Sequence, residues 1–341
     1  MAGTIENPFL VATFADLQKV GTGTDGWTRS AHYKQVADID CTSAFTPIGT
    51  SAQPFNGSYD GNGRIIRDLQ IVRHAALING LFGQLDGSVR DLSISNADVK
   101  ANFYSAILAG IAKNATIERV RVDGDVLLYG DFAGLLVGYS DGATIQDSFA
   151  FGSVNYSLSG DPAGNDMGGF VGRVSDSTVR RCYLVGTVAN TYNDPKPFIG
   201  SFSGTNTTTN NHYDADIAGR NDTDSGADPR ATAQMKTAST FTGWDLPGVW
   251  YIKTFVNDGY PHLAFETIKA IFGELQEEQS TQGSLQGESS ATGGISGEQE
   301  TSGTLAAERA TSGALQGDIE TTGQTADDAE SSGNLPEVYD E

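Results

Sequence analysis

The feature that most constrains this chain is a recurring unit. A short apolar run closed by glycine leads into a polar turn, then into a strand of alternating apolar and polar residues. The clearest copy is Gly169-Phe170-Val171-Gly172, the turn Ser175-Asp176-Ser177, and the strand Thr178–Val188. Its siblings are Gly80-Leu81-Phe82-Gly83 with Ser88–Ile94, Ile107-Leu108-Ala109-Gly110 with Ala115–Val122, and Leu135-Leu136-Val137-Gly138 with Ala143–Phe149. An opening copy spans Phe55–Ile71, and a degraded one runs from Ile199-Gly200-Ser201-Phe202-Ser203-Gly204 to His212-Tyr213. With Gly57, Gly83, Gly110, Gly138, Gly172 and Gly204 as markers, the intervals are 26, 27, 28, 34 and 32 residues. A unit of that length that cannot bury its apolar face alone must stack on its neighbours. Each unit supplies two or three short strands with turns, which is one coil of an all-β, right-handed parallel β-helix. The longer intervals place insertions at Ser157–Asp166 and Asn190–Pro197, and loops added to a solenoid often form its binding face.

The flanks read as closures. Thr13 followed by Asp16 is a capping-box variant, and it opens a short helix with Phe14, Leu17 and Val20 on one face. That segment would cover the first open edge of the solenoid. The reading divides the chain into an N-terminal cap (1–54), β-helix coils (55–214), a C-terminal cap and connector (215–271) and a tail (272–341).

The repeats resemble the GLUG motif of bacterial surface proteins and phage structural proteins. Glu6-Asn7-Pro8-Phe9, Asp38-Ile39-Asp40 and Phe45-Thr46-Pro47-Ile48-Gly49 resemble the opening of such domains. Thr240-Phe241-Thr242-Gly243-Trp244-Asp245, Trp250 and Gly259-Tyr260-Pro261-His262-Leu263 resemble their close. The resemblance covers about residues 1–265 and implies the β-helix. It implies little about function, because one scaffold serves many binding tasks.

A second, strict period follows. Gly273, Gly283, Gly293, Gly303, Gly313, Gly323 and Gly333 stand ten residues apart. Leu275, Leu285, Ile295, Leu305, Leu315 and Leu335 follow two positions behind their glycines, with Thr325 breaking the rule. One large apolar residue in ten cannot fold a lone chain against its conformational entropy. Two readings stand: a free acidic tail, or an ordered multi-chain stalk in which identical chains stack their leucine rows. The stalk is favoured, and it implies a homo-oligomer, with a trimer expected. Leu335–Glu341 regains hydrophobic residues and suits an anchoring peptide.

Charge narrows the partners. Of the chain's net charge of -22, residues 272–341 carry -14 and the rest -8. Such a balance gives no footprint for nucleic acid and no attraction to an anionic membrane. No run reaches membrane-spanning length, and the N-terminus lacks the pattern of a secretory signal. Cys41 and Cys182 form no CxxC pattern and read as small buried hydrophobes.

Residues suited to catalysis or metal binding are sparse. Asp38/Asp40, Asp91, Glu118 and Asp147 are carboxylates on a fold that hosts polysaccharide-cleaving enzymes, and the last three read as one outward row. His32, His74, His212 and His262 fall in no metal spacing. Asp222, Asp224 and Asp228 alternate around Gly226 as in a weak calcium loop, yet lack its terminal glutamate. No catalytic residue, metal or cofactor is assigned. Tyr104, Tyr129, Tyr156, Tyr192, Asn193 and Asp194 are the candidate glycan or receptor contacts, since aromatic rings with polar handles suit sugars. The expected function is a non-enzymatic virion fibre, spike or decoration protein of a bacteriophage. It would be assembled in the host cytoplasm and joined to other virion proteins through its tail. The alternatives are a polysaccharide depolymerase tailspike and a secreted bacterial adhesin.

Overall fold

The computed structural model describes residues 2–157, 166–189 and 195–266, with four short strands beyond them. The chain divides into two units, Met1–Thr267 and Ile268–Glu341. The first is an all-β parallel β-helix. Its long sheet runs through Phe9–Val11, His32–Gln35, Ser58–Arg67, Ser88–Ala101, Thr116–Leu128, Phe149–Tyr156, Tyr183–Ala189, His212–Asp214 and Asp228–Arg230. A shorter sheet stacks Phe82–Leu85, Ala109–Lys113, Val137–Asp141, Val171–Ser175 and Ile199–Ser203. Every pairing in both sheets is parallel. The alternation read from the sequence becomes columns of like residues. Val89, Ile117, Ile145 and Val179 occupy one inward column, and Ile94, Val122, Ala150 and Leu184 another. All eight are buried.

The glycine markers need one correction at each end. Strand register aligns Gly49, Gly83, Gly110, Gly138, Gly172 and Gly200, not Gly57 and Gly204. The reason is contact between coils. A Cβ on Gly172 would lie 2.5 Å from the Gly138 carbonyl oxygen, and one on Gly200 2.5 Å from that of Gly172. Gly204 instead turns a corner at φ +64°, in register with Asn114, Gly142 and Asp176, which are also left-handed.

The expected capping-box helix forms. The helix spans Phe14–Lys19, the Asp16 N–H donates to Thr13 Oγ1 at 3.1 Å, and the Thr13 N–H donates to Asp16 Oδ2 at 3.0 Å. The segment after the coils behaves less predictably. Residues 215–230 close the last coil, with the helix Ala215–Ala218 and the strand Asp228–Arg230. Residues 231–266 then fold back along the outside of the long sheet. Met235, Phe241, Trp244, Trp250, Tyr260 and Leu263 pack on Phe149, Tyr183 and Val185, forming a second apolar cluster. Arg121 holds Glu266 at 3.0 Å in the same seam. The buried Asp214 carboxylate ties closure to flank, accepting from Thr232 Oγ1 at 2.8 Å and the Tyr260 hydroxyl at 2.7 Å.

In the second unit, Ile295–Ser296 pairs in parallel with Leu315–Gln316, and Gln299–Thr301 with Ile319–Thr321. The register is twenty residues, two sequence repeats, and the pairing lies within one chain. Leu275, Leu285, Leu305 and Leu335 lie outside the described residues.

Candidate binding face

The surface with the most developed chemistry flanks the short sheet. Ser105 pairs with Ala133 and Ala133 with Met167, so Tyr104, Phe132 and Asp166 occupy one column of successive coils. Ile78 precedes them by the bridge of Asn79 to Ser105. The Tyr104 and Phe132 rings stack with centroids 4.7 Å apart and planes 9° from parallel. Tyr139 leans on both, 6.1 Å from Tyr104 and 6.0 Å from Phe132. All three rings are half-buried.

The backbone here is held in an unusual state. Tyr104 has φ +40° and Phe132 φ +65°. Bulky residues rarely adopt the left-handed region, at a cost of order 1–3 kcal/mol each. The Tyr104 N–H donates to the Asp131 carbonyl at 3.0 Å, and the Ser105 N–H to the Phe132 carbonyl at 2.9 Å. The turn tucks against the marker glycines. A Cβ on Gly110 would lie 2.5 Å from the Tyr104 carbonyl oxygen, and one on Gly138 2.9 Å from that of Phe132.

Beside this column runs a second, formed by the residue after each marker glycine: Gln84, Ile111, Tyr139, Arg173 and Ser201. The Arg173 Nη1 approaches Asp166 Oδ2 at 3.3 Å, so the aromatic rungs give way to an ion pair one coil on. Sequence reasoning named Tyr104 and missed Phe132, Tyr139, Asp166 and Arg173. The signal was available in the spacing: Tyr104, Phe132 and Asp166 each stand six residues before a marker glycine.

The other candidates lie elsewhere. Tyr129 meets the His74 ring edge-on at 4.6 Å, and Tyr156 packs half-buried against the core. Tyr192, Asn193 and Asp194 lie outside the described residues. The carboxylates of the weak calcium loop do not converge: Asp222 pairs with Arg220 at 2.7 Å, Asp224 with Lys196 at 3.1 Å and Asp228 with Arg230 at 2.9 Å. Among the described residues no group of three potential ligands could hold a metal. Asp38 and Asp40 both bind Arg67, at 2.9 and 3.3 Å.

The outward acidic row needs correction by one residue. Asp91, Arg119, Asp147 and Arg181 form the column, all left-handed, while Glu118 belongs to the neighbouring column of Arg90, Gln146 and Arg180. Arg119 grips Asp91 at 2.6 and 3.0 Å, and Arg181 grips Asp147 at 2.7 and 2.6 Å. The carboxylate beside it raises the pKa of each arginine further, so both stay charged. Asp147 also accepts from the Trp250 indole at 3.2 Å.

A cleft of about 300 Å³ opens at the N-terminal end, lined by His32, Lys34, Ser58, Asp60, Ser88 and Arg90. His32 Nδ1 lies 2.6 Å from Ser58 Oγ, and Arg90 holds Asp60 at 2.7 Å. The Ser58–His32 pair has no orienting carboxylate among the described residues, which leaves it a polar contact surface. Both thiols are buried, and burial with nearby Asp68 and Asp40 pushes that of Cys41 up to about 12.

No family model matches this chain. Part of it resembles two curated proteins. One is "Halomucin" of Haloquadratum walsbyi, 36% identical over 120 residues, 32% of this chain and 1% of that protein's length. The other is the "Putative Gly-rich membrane protein" of Evansella cellulosilytica, 32% identical over 133 residues, 36% of this chain and 15% of that protein. The chain thus spans a small fraction of either relative. Among solved structures, a "putative immunoglobulin A1 protease" from Bacteroides ovatus superposes with a TM-score of 0.57 at 14% identity. That match covers 77% of this chain and 94% of the other, and shares the fold alone. Among the described residues, no helix is long and apolar enough to cross a membrane.

Proposed function

We propose that this chain is a non-enzymatic adhesive solenoid displayed at a biological surface, binding glycan through the face of Tyr104, Phe132 and Tyr139. The observation that carries the reading is the pair of stacked rings held at left-handed φ on consecutive coils. Strain of this kind persists where surrounding structure imposes it, and it concentrates at ligand contacts. Binding is favoured over hydrolysis because Asp38, Asp40, Asp91, Glu118, Asp147, Asp222, Asp224 and Asp228 are each held by a cation. Surface display draws on the GLUG resemblance and on the names of the two partial relatives, one a halomucin and the other a membrane protein. A phage virion is one such surface. Its support is the GLUG resemblance together with the ten-residue tail, whereas the relatives' names favour a cell envelope.

A glycan array probed with the fluorescent full-length protein tests the proposal. Phe132→Gly removes the ring and relaxes the left-handed backbone, so lost binding would not report lost folding. Expected is binding to a defined glycan set and at least a tenfold loss in the variant, about 1.4 kcal/mol. Equal binding by both proteins, or none by either, would refute it.

A further inference from the structure

We propose that the sugar bound here is an uncharged pyranose seated under Phe132, where the aromatic column stops, with adjacent hydroxyls bonded to Asp166 and Arg173. This rests on the reading of the face as a glycan site. The 4.7 Å spacing of the Tyr104 and Phe132 rings matches the rise between parallel strands, about 4.8 Å. Near-parallel rings at that spacing lie across the solenoid axis, so each turns one flat face along the axis toward the next coil. For Tyr104 the outer neighbour in the column is Ile78; for Phe132 it is Asp166, whose side chain is too short to continue the stack. The ring partners of Phe132 among the described residues are Tyr104 and Tyr139. A pyranose has a C–H face that packs on an aromatic face and a thickness suited to one rung.

The groups at that rung are under-used. Arg173 carries five N–H donors. Its one hydrogen bond among the described residues is the 3.3 Å contact to Asp166, longer than the 2.7–2.9 Å usual for a charge-assisted bond. Its Nη2 donates to no group among the described residues. A vicinal diol completes both partners: each hydroxyl donates to the carboxylate and accepts from the guanidinium.

Charge then selects the class of sugar. Asp166 and Arg173 together are neutral, so the rung offers no net cation to a carboxylated sugar. The carboxylate repels such a sugar directly, and the first 271 residues carry -8. Neutral hexoses fit, whereas sialylated and uronate glycans do not.

The test compares the full-length parent with Phe132→Gly, Asp166→Asn and Arg173→Gln on neutral, sialylated and uronate glycans, with thermal melting as the control for folding. Expected is parent binding confined to neutral hexoses, abolished in F132G and weakened at least tenfold in D166N and R173Q. If F132G abolishes binding while D166N and R173Q bind like the parent, the glycan face stands and the subsite falls. If F132G binds normally, both fall. If sialylated or uronate glycans bind best, the assignment to uncharged sugars is overturned.

Discussion

The body and the tail both repeat, but they relate sequence period to structure in opposite ways. In the body one sequence unit makes one coil, and coil length wanders: the aligned glycines Gly83, Gly110, Gly138, Gly172 and Gly200 are 27, 28, 34 and 28 residues apart. In the tail the sequence period never varies, yet the described strands pair at twice that period. The body holds register by contact, with glycines against carbonyls and left-handed corners stacked on one another, so loops between those points can lengthen. The tail has no such variety of anchors in its sequence. Pairing at twenty residues also changes the oligomer argument. Ile295 and Leu315 come into register within one chain, so a leucine row does not by itself require a trimer.

If contact rather than period fixes the body, breaking a contact should cost most. Gly152 sits at φ +130°, where a Cβ would lie 1.8 Å from the Gly124 carbonyl oxygen. Gly152→Ala should destabilise the body by at least about 3 kcal/mol, read as a lowered melting temperature. Deleting everything after Thr267 should leave that melting transition in place. A G152A protein that melts like its parent would show that coil spacing is softer than the column implies.

The corner ion pairs should come next, and unequally. Asp147 has 5% of its side chain exposed and also anchors Trp250, whereas Asp91 has 22% exposed. Asp147→Ala should cost about 3 kcal/mol because it removes the buried acceptor shared by Arg181 and the Trp250 indole. Asp91→Ala should cost about 1 kcal/mol, in the range of a solvent-screened pair. Equal costs in chemical denaturation would show that the flanking segment adds nothing to the corner.

A further prediction concerns pH. His212 is buried between Phe241 and Trp244, and neither ring nitrogen has a hydrogen-bond partner. Burial, with a further push from Arg230 against a smaller opposing pull from Asp228, takes its pKa down to about 4. A depressed histidine pKa means the neutral form is favoured in the fold. Its contribution is therefore complete above pH 6.5 and is lost as pH falls from 6.5 toward 4, at about 1.4 kcal/mol per unit. His212→Leu should flatten that part of the stability curve relative to the parent. Identical slopes would remove His212 from the account.

Much of the body was legible in the sequence because a solenoid repeats its evidence. The apolar–glycine runs, the alternating strands and the Thr13–Asp16 cap each declared themselves locally. What misled was register. Gly57 packs between coils in a different column, a Cβ on it lying 2.0 Å from the Ala31 carbonyl oxygen, and Gly204 turns a corner; only strand register distinguishes Gly49 and Gly200 as members of the marker column. A one-residue slip placed Glu118 with Asp91 and Asp147, where Arg119 belongs. The fold-back of residues 231–266 was hidden for another reason. Phe149, Phe151, Tyr183 and Val185 point outward from the sheet, and their apolar character makes sense only once Trp250 and Tyr260 cover them. The candidate face was half legible, since Tyr104 stood out as a tyrosine while Phe132 and Asp166 are marked only by their shared place in a column.

The alternating corner of Asp91, Arg119, Asp147 and Arg181 has a consequence for how such a solenoid changes length. Removing one coil would set Asp91 against Asp147, or Arg119 against Arg181, and duplicating one would place like on like. Removing or adding two coils restores the alternation. The corner thus imposes a parity rule on this stretch of the rod, in which coils are exchanged in pairs or a new partner must be written into the seam.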